Sequence, residues 1–174
     1  STQSVSAIVE NLVPVFDSTP EIAPTTMILT GTTVTCSALA SDLEDGPLTP
    51  TYAWQIAGNT IASGATYTID AMDTNIGDTL DCVATIVDLD GATTSETTSI
   101  IIENTAPVVD QSAISPLVGI TTSSTLTCTG TGTDVDQDSL TVTYTWVNLT
   151  QNTNLGTGTT VTLSPNNSQP GDDV

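Results

Sequence analysis

An all-β fold in two domains is what this sequence predicts, and three observations carry the prediction. Nine prolines and twelve glycines punctuate a threonine-rich chain of 174 residues, so the segments between turns are short. Several of those segments alternate apolar and polar residues with a period of two, the spacing of a strand with one buried face. The pattern also repeats along the chain, and no stretch carries helical periodicity over a useful length. A hydrophobic fraction of 37% separates the chain from a disordered acidic tail.

Taken in order, "STQSVSAIVEN" at the start matches "SETTSIIIEN" at 95–104, so residues 1–10 read as the last strand of a preceding repeat. Residues 11–103 read as a complete domain. Val34, Cys36 and Ala38 share one face of a strand, and Tyr52, Trp54 and Ile56 share one face of the next. Tyr67 and Ile69 mark a short strand, Leu80, Cys82, Ala84 and Ile86 a fourth, and Thr93 to Ile102 a β-branched last one. Between the final two, "DLDG" at 88–91 is a hairpin turn, because Asp and Gly tolerate positive φ.

Residues 104–174 repeat this order. "VENLVPVF" at 9–16 matches "IENTAPVV" at 102–109, "TVTCSALASD" at 33–42 matches "TLTCTGTGTD" at 125–134, and Tyr52 and Trp54 fall on Tyr144 and Trp146. "IGDTLDC" aligns with the final "PGDDV". The second domain is therefore expected to be truncated before its last two strands, and the chain reads as a window on a longer array. Cys36 and Cys82 are expected to pair within the complete repeat, with the partner of Cys128 outside the segment; the alternative for each is a reduced, buried thiol. A closed loop of this length is worth about 4 kcal/mol in the chain-entropy model, and a disulfide implies an oxidising compartment.

The charge excludes more than it identifies. Twenty acids and no Lys, Arg or His give a formal charge of −20. Each carboxylate must be solvated, hydrogen-bonded or neutralised by a bound cation, since no basic side chain can answer it. Nucleic acid is not an expected partner, because phosphate binding relies on Lys and Arg, and anionic membrane surfaces are disfavoured for the same reason. No apolar run reaches the length of a spanning helix, so no membrane insertion is expected in this segment. Without His, Ser-His-Asp and Cys-His catalysis lose their base; without Lys or Arg, Schiff-base chemistry and bidentate phosphate clamps are lost. Only a carboxylate-pair mechanism survives, and acids confined to turns of a narrow sandwich do not enclose a substrate. No enzymatic activity is expected.

A Cys, a Trp 18 residues later and a second Cys 28 residues after that resemble the immunoglobulin-like fold, in which a tryptophan packs on a disulfide bridging two sheets. "DTNIGDTLDC" resembles the segment leading into the second cysteine of that fold, although Leu80 stands where a corner tyrosine is usual. "WDFGDG", the signature of PKD domains, is absent. The closest resemblance is to tandem immunoglobulin-like, cadherin-like and PKD-like repeats of bacterial and archaeal surface and fibre proteins. It implies Greek-key β-sandwiches in tandem, with Trp54 and Trp146 in the cores.

Two acidic turns follow the first cysteine strand of each repeat: Asp42, Glu44 and Asp45, then Asp134, Asp136 and Asp138. In an immunoglobulin-like sandwich the hairpin carrying Asp88 and Asp90 reaches the same pole as the first of these, where the chain also enters the domain. Glu103 and Asn104, or Glu10 and Asn11, are then placed to add ligands, an arrangement that resembles the interdomain calcium sites of cadherins, whose linkers end in Asn-Ala-Pro much as "ENTAP" does here. Calcium, which takes about six to eight oxygens, is the expected structural ion. The plainer reading is that Asp, Asn and Gly are good turn formers. "NLT" at Asn148 and "NNS" at Asn167 are glycosylation candidates.

The function expected is that of a non-enzymatic segment of an extracellular or cell-surface repeat protein, a stalk, adhesin shaft or fibre, stapled by disulfides and stiffened by calcium. Its partners are neighbouring repeats of the same chain and like chains in a fibre. The alternatives are an adhesin module that binds a glycan or protein through its loops, and a subunit that polymerises by strand exchange.

Overall fold

A computed structural model describes residues 3–174. The described residues contain antiparallel strands and no helix, and the chain divides into two units, Ser1–Thr105 and Ala106–Val174.

Unit 1 contains β1 (Val15–Phe16), β2 (Glu21–Ala23), β3 (Thr33–Ser37), β4 (Ala40–Asp42), β5 (Gly46–Leu48), β6 (Thr51–Ile56), β7 (Asn59–Ser63), β8 (Thr66–Thr68), β9 (Thr79–Val87) and β10 (Thr93–Ile101). They form a sheet in the order β2-β3-β8, a second in the order β10-β9-β6-β7, and a small third in the order β1-β4-β5. β9 has the cleanest alternation in the sequence, and Leu80, Cys82, Ala84 and Ile86 are all fully buried while the residues between them reach the surface. Its register against β6 sets Trp54 opposite Cys82.

The two larger sheets face each other in a sandwich-like arrangement held by the disulfide between Cys36 of β3 and Cys82 of β9, whose Cα atoms are 6.5 Å apart. Trp54, Val34, Ile28, Ile69 and Ile102 fill the space around it. Trp54 is fully buried, and its indole N–H donates to the Gly64 carbonyl at 3.0 Å, which satisfies the one polar atom that so large an apolar ring carries inside. The β6–β7 turn puts Ala57 and Gly58 at φ 49° and 79°, the positive pair that a two-residue hairpin requires.

Unit 2 contains β11 (Val108–Ser115), β12 (Thr125–Thr133), β13 (Thr145–Asn148), β14 (Thr153–Thr157) and β15 (Thr160–Thr162), arranged as β11-β12-β15 and β13-β14. Its core is Leu126, Trp146, Val161 and Leu163. Hydrogen bonds of unit 1 recur at matching positions: Trp146 Nε1 donates to the Gly158 carbonyl at 2.9 Å, Cys128 N–H to Thr159 at 2.8 Å as Cys36 does to Ala65, and Leu163 N–H to Ser124 as Ile69 does to Thr32. Among the described residues nothing corresponds to β9 and β10. Cys128 is accordingly free and half-buried, whereas its counterpart Cys36 is sealed in the core.

Two features depart from the sequence reading. Of the segment 1–10 expected as a strand, residues 1 and 2 lie outside the described part and residues 3–10 form no strand; Val5, Ile8 and Val9 stand at least nine-tenths exposed. The first acidic turn, in addition, is flanked by the short strands β4 and β5 and belongs to the small third sheet.

Candidate functional site

The acidic pole of unit 1 is built by three segments that lie far apart in the chain. β4 ends at Asp42, whose Oδ1 accepts the N–H groups of Glu44 at 2.7 Å and Asp45 at 3.1 Å. An aspartate closing its own turn in this way is the local preference that made the stretch legible as a turn. The Glu44 side chain accepts the Leu12 N–H at 2.9 Å, and Asp45 accepts the Leu89 N–H at 2.8 Å. Asp88, at the far end of β9, accepts the Ala92 N–H at 2.7 Å through Oδ1 and the Asn11 side-chain amide at 2.9 Å through Oδ2. Residues 11–12, the 42–46 hairpin and the 88–92 hairpin are thereby tied together by carboxylates alone.

Electrostatically, Asp88 is the better answered of the two buried acids. The Asn11 amide holds its carboxyl below the ordinary aspartate value, partial burial works against this, and the Ala92, Gly91 and Asp90 amides add to it. Asp42 is only 4% exposed, and its Oδ2 is sealed from solvent without any donor from the protein. A buried acceptor left unanswered costs about 1–3 kcal/mol, and this chain has no basic side chain to supply the missing partner.

The other expected ligands are distributed less favourably. Asp90 is exposed at the tip of its hairpin. Glu103 and Asn104 lie at the opposite end of β9 and β10 from Asp88, where the Glu103 N–H donates to the Ile28 carbonyl. The linker residue that does reach the unit 1 pole is Asn11. In unit 2, Asp134 Oδ1 accepts the Asp136 N–H at 2.8 Å, which reproduces the Asp42 turn, but Asp134 and Asp136 are half-buried, Asp138 is exposed, and no hairpin corresponding to 88–92 joins them. Among the described residues no three acidic or cysteine side chains stand close enough to form a ready metal cage.

One polar cluster was not foreseen. Asn148 is fully buried, and its side-chain amide donates to the Asp172 carboxylate at 2.7 Å and the Asn167 carbonyl at 3.1 Å. The Asn148 amide, then the Gln169 N–H, hold Asp172 below the ordinary aspartate value, with burial opposing and Gln151 assisting. The available signal was the match of Asp172 to Asp78: each caps its own turn, through the N–H of Gln169 and of Asn75 respectively. The same cluster removes Asn148 as a glycan acceptor, since its amide nitrogen is engaged and enclosed. Asn167 is also not an acceptor: in the triplet 166–168 the modified position is the first residue, Asn166, which is exposed.

No family model, curated protein or solved structure matches this chain.

Proposed function

We propose that this chain is a non-enzymatic segment of an extracellular repeat protein, built from immunoglobulin-like Greek-key sandwiches, in which a divalent cation such as calcium fastens the acidic pole of each complete repeat. The observation that carries this reading is Asp42: an enclosed carboxylate oxygen without a donor, in a chain that has no cationic side chain, beside two further carboxylates that each have one oxygen free of hydrogen bonds. Hard oxygen donors suit calcium, whose geometry is tolerant. The acids are not gathered into a cage, so Glu44 and Asp45 must swing from the Leu12 and Leu89 amides toward Asp42 to complete a coordination shell. The disulfide supports an oxidising location, and no helix among the described residues is long and apolar enough to cross a membrane. Every Trp, Tyr and Phe is buried or half-buried, which leaves the loops without the aromatic platform that a glycan-binding module would use.

The mechanism is electrostatic. Repulsion among the acids at the pole is relieved by the ion, which locks the 42–46 turn while the Asn11 amide keeps the entering chain on Asp88, so that a flexible joint becomes a stiff one. Extracellular calcium modules bind with Kd on the order of 10⁻⁴–10⁻³ M, and calcium at tenfold its Kd adds about 1.4 kcal/mol to the stability of the unit that binds it. Thermal unfolding and small-angle scattering in calcium and in chelator test this. The melting temperature and the maximum dimension should both rise with calcium, and Asp42→Asn, which keeps the turn-closing acceptor, should abolish both responses. Identical curves in calcium and chelator would refute the proposal.

A further inference from the structure

The sequence holds two Asp-Gly dipeptides, Asp45-Gly46 and Asp90-Gly91, and both belong to unit 1. The fold treats them differently. In such a pair the aspartate side chain can react with the backbone that follows it, because glycine carries no Cβ to obstruct the approach of its amide nitrogen to the neighbouring Cγ. The reaction then depends on how freely the two groups can turn toward each other.

Asp45-Gly46 is held on both sides. The Asp45 carboxylate accepts the Leu89 N–H at 2.8 Å, the Asp45 N–H donates to Asp42 Oδ1 at 3.1 Å, and Gly46 opens β5 in register with Asp42. Both residues are half-buried. Asp90-Gly91 instead forms the tip between β9 and β10, where both residues are exposed and the Asp90 carboxylate accepts no hydrogen bond from any described residue. The Gly91 N–H reaches the Asp88 carbonyl only at 3.3 Å, beyond the usual range for such a bond. Local opening of the chain is least costly at exposed tips of this kind.

We propose that Asp90 is a site of spontaneous isomerisation to isoaspartate, from which the fold protects Asp45. The Gly91 nitrogen gives its proton to solvent and attacks Asp90 Cγ, and the new N–Cγ bond closes a succinimide ring as one carboxyl oxygen leaves as water. Water then adds to the main-chain carbonyl carbon of Asp90, whose bond to the Gly91 nitrogen breaks. The chain now runs through Cβ and Cγ, and the former main-chain carbonyl becomes a free α-carboxylate, the group that S-adenosylmethionine-dependent isoaspartyl methyltransferases esterify. One water leaves, one enters and no electron moves, so mass and charge are kept.

The consequence reaches the entering chain. Isomerisation adds a main-chain atom between Asp88 and Ala92, so the 2.7 Å bond from the Ala92 N–H to Asp88 Oδ1 is lost, and the hold of Asp88 Oδ2 on the Asn11 amide loosens with it. The proposal stands apart from the cation reading, since the Asp90 side chain makes none of the carboxylate contacts of the pole.

The experiment ages the folded full chain at neutral pH in chelator, which removes any effect of a bound cation. Digestion with an endoprotease that cuts before aspartate but not isoaspartate, followed by electron-transfer fragmentation, then locates the product. Isoaspartate should accumulate about tenfold faster at 90 than at 45, the difference that ordinary hydrogen bonds on the first pair sustain. Asp90→Glu, which would have to close a larger ring, should abolish the product at 90. In chain reduced and unfolded in urea, the two sites should react at similar rates, and in the separated aged form the Asn11 side-chain amide resonances should move. Equal rates at 45 and 90 in the folded chain, no product at 90, a difference that persists in urea, or unmoved Asn11 resonances would each overturn the proposal.

Discussion

Replacing both halves of the disulfide, Cys36→Ala with Cys82→Ala, isolates what holds unit 1 together. The bridge closes a loop with a sequence separation of 46 residues. The chain-entropy relation then assigns about 4 kcal/mol to its constraint on the unfolded state, against the 5–15 kcal/mol or so that a domain has in total. With a urea dependence of about 1–1.5 kcal/mol/M for a unit of this size, the midpoint should fall by about 3 M, and the slope should increase as the unfolded chain is freed to expand. Trp54 lies opposite Cys82 and reports the transition of unit 1. Trp146→Phe removes the competing signal from unit 2. The control is Cys128→Ser, which touches a free, half-buried thiol and should leave the unit 1 midpoint in place. A midpoint lowered by less than about 1 M in the double variant would mean that the sheets hold each other without the staple, and the account of unit 1 as a thin core dependent on a covalent cross-link would fail.

Three further outcomes are expected. Gly132→Ala should destabilise unit 2 by about 1–3 kcal/mol in urea melts, because the added Cβ would stand 2.8 Å from the Val108 carbonyl oxygen, while Gly130→Ala, at 3.3 Å from the Gln111 carbonyl, should cost less; equal effects would refute the difference in strand approach. Tyr67→Phe should leave unit 1 as stable or more so by up to about 1 kcal/mol, since it removes a buried hydroxyl that finds no hydrogen-bond partner; a loss above 1 kcal/mol would show that the hydroxyl is satisfied. Asp88 and Asp172 both titrate below their ordinary value in the folded chain, so the stability they add is present above the unfolded aspartate pKa of about 3.9 and is lost as pH falls through the lower folded values. Asn11→Ala should flatten the acid limb of unit 1 alone, as read by pH-dependent melting of Trp54; an unchanged acid limb would sink that assignment.

Much of the fold was legible in the residues because it depends on near neighbours. The two-residue period of Leu80, Cys82, Ala84 and Ile86 identifies β9 without any partner, "DLDG" identifies its hairpin, and the recurrence of Cys, Tyr and Trp identifies two units of like plan. Strands β1, β2, β4, β5 and β7 were not legible: the first four are pieces of two or three residues with no period to read, and β7 is an edge whose pairing is chosen by the sheet it joins. The acidic pole was half legible. Asp42, Glu44, Asp45 and Asp88 were foreseen near one another, but the donors that hold them, the Leu12 and Leu89 backbone amides, carry no mark in their residue type.

Composition and periodicity alone determined that this chain folds into strands and that its carboxylates find no cationic side chain, and the internal repeat made Cys82 the expected partner of Cys36. Tertiary structure alone decided that one oxygen of Asp42 lies enclosed without a donor, that the Asn148 side chain is buried, and that Ile120 lies open while the same residue type at position 28 is sealed. Strand preference is set by the residue and its neighbours along the chain, whereas burial belongs to a pair of segments, and a residue cannot announce whether the segment that would cover it is there.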